Sequence, residues 1–107
     1  MPCPYNYGES PGHRGGDGDA LDVVLLGPRR PRGHRTSATV RGVVGFLDAG
    51  LEDHKILCAH EGVTFSTRGL RLFFTIYAAS KTARYRARGT ARRAQFLGIH
   101  LATPTDR

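Results

Sequence analysis

Three carboxylates within six residues, on a glycine-rich loop that runs straight into an apolar strand, constrain this chain more than any other feature. The stretch is Gly15-Gly16-Asp17-Gly18-Asp19-Ala20-Leu21-Asp22-Val23-Val24-Leu25-Leu26. Crowded carboxylates repel one another and raise each other's pKa unless a positive charge sits among them. Such a cluster either faces open water, as a solvated Asp-rich turn, or holds a cation. Hard divalent cations such as magnesium take oxygen ligands, typically one or two carboxylates completed by water and substrate phosphate. Asp17 and Asp19 share one face of an extended segment, whereas Asp22 points the other way in a straight strand. A bend between them is needed for a single cluster, and Gly15, Gly16 and Gly18 make that bend cheap.

The other acids reinforce the pattern. Of nine Asp and Glu, six fall in two short groups, the second being Asp48, Glu52 and Asp53. Asp48 and Asp53 lie at the two ends of a turn between apolar runs, so a hairpin brings them together. Lys55 follows on the same strand face as Asp53. Two carboxylate pairs from different loops, with a lysine beside one, suit two or more magnesium ions and a phosphate group. Acids this localised are notable in a chain of net charge +7, whose basic residues are nearly all Arg. The charge itself favours anionic partners.

Other chemistries fail on spacing. A calcium-binding EF-hand loop starting at Asp17 would require a Gly at Asp22 and a Glu at Pro28. His54, Cys58 and His60 lack a fourth zinc ligand at a regular spacing. The basic segment 29–35 lacks the Lys-Ser/Thr ending of a nucleotide-binding P-loop. Cys3 and Cys58 form no disulfide framework, and Cys58 reads as a buried thiol in a reducing compartment. The polar, Gly/Pro-rich start is not a signal peptide, and no apolar run approaches the ~20 residues that span a bilayer. The expectation is a cytoplasmic protein without membrane association.

At 107 residues the chain is one small domain. Residues 1–19 read as an irregular loop with a short extended piece at Tyr5-Asn6-Tyr7. Residues 20–26 form a strand covered on both faces, ended by Gly27-Pro28. Residues 38–47 form a second strand whose Gly42 and Gly45 mark a bulge or bend. Residues 54–60 form a third strand, antiparallel to the second. An apolar stripe predicts a helix over 67–83, capped by Ser66 or Thr67 and packed on the sheet. Residues 84–88 alternate as a last short strand, 91–97 read as a helical turn, and about 90–107 form a divergent, disordered tail.

These residues resemble the family I (soluble) inorganic pyrophosphatases. Asp17-Gly18-Asp19-Ala20-Leu21-Asp22-Val23 is similar to the family's D-x-D-P-x-D-V, with Ala20 in place of Pro. Pro4-Tyr5-Asn6-Tyr7-Gly8 resembles its P-x-N-Y-G segment. Gly42 to Asp48 and Glu52 to Lys55 resemble its G-V-x-x-M-x-D…E-D-x-K segment, and Phe73-Phe74-Thr75-Ile76-Tyr77 its F-F-x-x-Y helix. The resemblance implies a partial OB-fold-like antiparallel β-barrel with one packed helix, in the α+β class. It implies hydrolysis of pyrophosphate to two phosphates using Mg2+ and a metal-activated water. By position, Asp17, Asp22, Asp48 and Asp53 would be metal ligands and Asp19 the catalytic base. Tyr7, Lys55 and Tyr77 would contact phosphate.

The departures shape the expectation too. The family carries barrel strands and further active-site Glu, Lys and Arg ahead of P-x-N-Y-G, so the chain reads as an N-terminally truncated member. Ala78 stands where the family has a substrate-binding Lys, and Glu9-Ser10 replace an apolar pair. Missing strands would expose sheet edges, which invite pairing with another copy in a homo-oligomer. A truncated relative that keeps metal binding without turnover is the first alternative. A small basic nucleic-acid-binding barrel is the second, and the clustered acids, which repel phosphate, argue against it.

Overall fold

The computed structural model describes residues 5–14 and 20–102. Six strands and one helix follow in the order β1 (Asn6–Arg14), β2 (Ala20–Leu25), β3 (Thr39–Asp48), β4 (Leu51–Glu52), β5 (Lys55–Ala59), α1 (Thr67–Ala87) and β6 (Ala94–Leu101). The strands form one open sheet in the order β1-β2-β5-β3-β4, with β6 on β3. This is the expected mainly β architecture with one packed helix. Pairing is antiparallel except between β2 and β5, which run parallel with Asp22 opposite Lys55 and Val24 opposite Leu57. The parallel pair departs from an all-antiparallel barrel. It arises because β3 comes between β2 and β5 in sequence and reverses the chain before β5 enters the sheet beside β2.

Alternation along the strands places the core. Val24 and Leu26, Val44 and Phe46, and Leu57 and Ala59 are buried on one face. From α1, Leu70, Phe74 and Ala78 close over them, spaced four residues apart as one helix face requires. Phe46 meets Phe74 and Tyr77 with ring centroids 6.4 and 5.6 Å apart. Tyr5 packs edge-on against Phe73 at 5.2 Å. Ser66 caps the helix as expected, its hydroxyl accepting from the Gly69 N–H at 2.9 Å.

Both expected irregularities of β3 are present. Its pairing with β5 shifts between Val40 and Gly42, and its pairing with β6 shifts between Gly45 and Phe46. At Gly42 a Cβ would lie 2.6 Å from the His100 carbonyl oxygen, so any side chain there would push β6 off β3. Gly42 is glycine for close strand approach.

Three segments differ from the sequence reading. The loop expected over 1–19 includes a full strand, β1, because the Tyr5-Asn6-Tyr7 piece continues along β2 with Asn6 opposite Leu25 and Ser10 opposite Leu21. Asn6 fastens this pairing by donating from Nδ2 to the carbonyls of Leu25 (3.1 Å) and Pro28 (2.9 Å), while Oδ1 accepts from the Arg30 N–H (2.8 Å). Residues 84–88, expected as a strand, extend the helix to Ala87. Period-two alternation there is overridden because Tyr85 lies two turns from Tyr77 on the same helix line, and Arg84 and Arg86 suit the negative end of the helix dipole. Residues 91–97, expected as a helical turn within a disordered tail, enter β6 from Ala94, which satisfies the second edge of β3. Thr82 ties this strand to α1, its hydroxyl accepting from the Ala94 N–H at 2.9 Å.

Among the described residues no helix is long and apolar enough to cross a membrane.

Candidate active site

The core face of the sheet becomes charged at one end. Asp22 occupies the same face of β2 as Val24 and Leu26, and Lys55 the same face of β5 as Leu57 and Ala59. Asp48 follows Val44 and Phe46 on β3. Because β2 and β5 are parallel and β3 is antiparallel to both, the start of β2, the start of β5 and the end of β3 coincide. Beyond the apolar positions of this face each strand therefore carries an ionisable residue, and the three gather at the same edge of the core.

Lys55 is the centre of the first group. It is 2% exposed, and its Nζ lies 3.0 Å from Asp22 Oδ2 and 2.7 Å from Asp53 Oδ2. The ammonium also stands 5.3 Å from the Phe46 ring centre and 5.9 Å from that of Tyr7, which β1 holds opposite Val24. A cation so buried is tolerable only because two carboxylates compensate it. One ammonium between two carboxylates leaves the group with a net negative charge, and Lys55 engages only one oxygen of each acid. Burial pushes the Asp53 carboxyl above its ordinary value, and Asp22 adds repulsion, against the pull of Lys55.

Asp48 forms the second group with residues the sequence reading missed. Its Oδ2 pairs with Lys81 Nζ at 2.6 Å, and its Oδ1 accepts from the Tyr85 hydroxyl at 2.5 Å. Burial is the largest influence on Asp48 and would raise its carboxyl. The hydrogen bonds from Lys81 and Tyr85 together outweigh burial and hold it below the ordinary value. Asp48 in turn raises Tyr85 and, against burial, Lys81. Tyr77, Lys81 and Tyr85 follow one another at four-residue intervals on α1, and the Lys81 ammonium lies 5.7 Å from the Tyr77 ring centre. That four-residue spacing is the sequence signal for the trio, and it shows only on a helix that continues to Ala87. The two groups sense each other through space, for Lys55 acts on Asp48 and Lys81 on Asp53.

The anchor has a defined pH dependence. Asp48 is depressed on folding, so its contribution is present above the ordinary carboxyl value of 3.8 and is lost as pH falls through the lowered value. Tyr85 is raised, so its contribution is present below the ordinary 10.0 and is lost as pH rises through the raised value. Tyr85→Phe is expected to lower stability by about 1 kcal/mol at neutral pH. The native-minus-variant difference should shrink toward both extremes. Thermal unfolding of both proteins across pH checks this, and a pH-independent difference would refute it.

Of the expected site residues, Asp22, Asp53, Lys55 and Tyr7 are brought together. Asp48 sits beside them, held by Lys81 and Tyr85, with Tyr77 packed between Phe46 and Lys81. Asp17 and Asp19 lie outside the described residues. Ala78 is buried in the core, and the lysine of this helix arrives three positions later. His54, set aside as a zinc ligand by spacing, accepts from the Phe46 N–H through Nδ1 at 3.0 Å.

The family model for inorganic pyrophosphatase matches residues 1–92. The chain belongs to the inorganic pyrophosphatase family. Among solved structures, the fold is similar to the enzyme of Helicobacter pylori, at 20% identity and a TM-score of 0.71, covering 92% of this chain and 62% of that one. It is also similar to those of Neisseria gonorrhoeae (28% identity, TM-score 0.67, 92% and 61% covered) and Coxiella burnetii (25%, 0.65, 94% and 65%). The chain thus spans somewhat over three-fifths of the length of these pyrophosphatases. No curated protein matches it.

The donor set fits the divalent metal that family membership implies. Asp22 and Asp53 converge hard oxygen donors on one point, which the Lys55 ammonium occupies. No three His, Cys, Asp or Glu cluster among the described residues. Two carboxylates, completed by water and phosphate oxygens, are the usual protein share of a magnesium site.

Proposed function

We propose that this chain hydrolyses inorganic pyrophosphate to two phosphates in a Mg2+-dependent reaction, in the cytoplasm. The observation that carries the reading is Lys55, buried between Asp22 and Asp53 beside Tyr7 at the charged end of the sheet. Asp22 and Asp53, with Asp17 and Asp48, would hold the metal. Bound Mg2+ supplies positive charge to the phosphoryl oxygens and makes a coordinated water more acidic. Asp19 accepts the proton of the attacking water. Lys55 is shared between the two carboxylates and would offer its ammonium to a phosphate oxygen. A cation at this point opposes the charge that develops on the departing phosphate. Tyr7 stands beside Lys55 with a hydroxyl suited to a phosphate oxygen, and Tyr77 lines the neighbouring wall.

Asp53→Asn removes one anionic ligand and leaves Lys55 its partner in Asp22. The half-saturating Mg2+ concentration for phosphate release is expected to rise about tenfold or more. An unchanged Mg2+ requirement would show that Asp53 holds no metal. A second reading, metal binding without turnover, is favoured by the coverage of only 61–65% of the solved relatives. Heat of Mg2+ binding without phosphate release would select it. Retention of single-stranded DNA at physiological salt would instead revive the nucleic-acid reading.

A further inference from the structure

We propose that Lys81 is a second phosphate-binding cation of this site, stored on Asp48 until a divalent cation takes that carboxylate. The inference rests on the pyrophosphatase reading above and adds a residue to it. Both oxygens of Asp48 are engaged, Oδ2 by Lys81 and Oδ1 by Tyr85, so a metal reaches Asp48 only by displacing one of them. The ammonium is the weaker obstacle in electrostatic terms, because the incoming cation takes over its charge.

Displaced, the ammonium has little freedom. Its side chain is 22% exposed, its charge lies over the Tyr77 ring, and its helix is fixed by the core and by Thr82 on Ala94. An ammonium at such a place, with its carboxylate committed to a metal, is unbalanced. A phosphate oxygen brought to the same metal restores the balance. Lys81 on α1 holds Asp48 as Lys55 on β5 holds Asp53, and Lys81 also acts through space on Asp53. The described residues hold no other lysine, as Lys55 and Lys81 are the two in the sequence.

The test uses equilibrium binding rather than turnover. Inorganic phosphate is titrated calorimetrically into the full chain saturated with Mg2+, and Mg2+ is titrated separately into the metal-free chain. Lys81→Met is expected to bind phosphate about tenfold or more weakly, the loss of one charged hydrogen bond. Its Mg2+ affinity should be equal or higher, because a competitor for Asp48 is gone. Lys81→Arg, which keeps the charge, should keep phosphate affinity within about threefold. Equal phosphate affinity of Lys81→Met and the native chain would overturn the proposal even if Lys81→Met were less stable, since it would leave Lys81 a purely structural anchor. If Lys81→Met does not fold, a tenfold loss in the folded Lys81→Gln supports the proposal and an unchanged affinity overturns it. A native chain that binds neither Mg2+ nor Mg2+-dependent phosphate would remove the pyrophosphatase reading and this inference together.

Discussion

Lys55→Met should destabilise the metal-free chain by about 3 kcal/mol and abolish turnover, yet gain more stability from Mg2+ than the native chain does. Methionine keeps the length and apolar bulk of the lysine stem, so packing against Phe46 changes little. The charge is what goes. Asp22 and Asp53 then face one another without a counter-charge, with Asp53 only 14% exposed. Removing one partner of a buried ion pair typically costs about 3–5 kcal/mol, and the lower end applies because Asp22 is 34% exposed. A divalent cation relieves this repulsion without having to displace an ammonium. Ligand binding stabilises in proportion to affinity for the folded state, so the midpoint shift with Mg2+ should be larger in the variant. Denaturant unfolding with and without Mg2+ measures both effects. If Mg2+ shifts Lys55→Met no more than the native chain, Asp22 and Asp53 are not the metal ligands.

Asp19→Asn should lower phosphate release by about 10²–10⁴-fold, the usual contribution of a general base. The amide keeps the shape and one acceptor oxygen of the carboxylate but takes no proton. Mg2+ affinity should fall little, since the role assigned to Asp19 is proton acceptance. The contrast with Asp53→Asn separates the two roles: one change removes turnover at saturating metal, the other raises the metal requirement. Rapid phosphate detection at saturating Mg2+ decides the point, and an Asp19→Asn chain with native turnover would assign the base elsewhere.

Much of this was legible before the structure. The apolar runs gave β2, β3 and β5, and the Asp53-x-Lys55 spacing put the lysine beside its carboxylate. Gly42 and Gly45 announced the strand irregularities because glycine in a strand usually marks close approach. The convergence of Asp22 with Lys55 was not legible, since it depends on a parallel pairing of residues 33 apart in the chain, and local periodicity carries no information on that. Asp48 was legible as a site residue but not its partners. Lys81 and Tyr85 become visible only when α1 runs to Ala87, and the alternation of Arg84-Tyr85-Arg86 suggested a strand. Tertiary packing on β6, whose own pairing replaced an expected helical turn and tail, settled the competition in favour of the helix.

The sharpest measurement is phosphate release from pyrophosphate by the purified native chain, followed across a Mg2+ titration that begins in chelator. The expected result is no release in chelator and release that rises and saturates with Mg2+ as the Asp22–Asp53–Lys55 group fills. A folded, soluble chain that binds Mg2+ and releases no phosphate at any concentration would contradict the hydrolytic function.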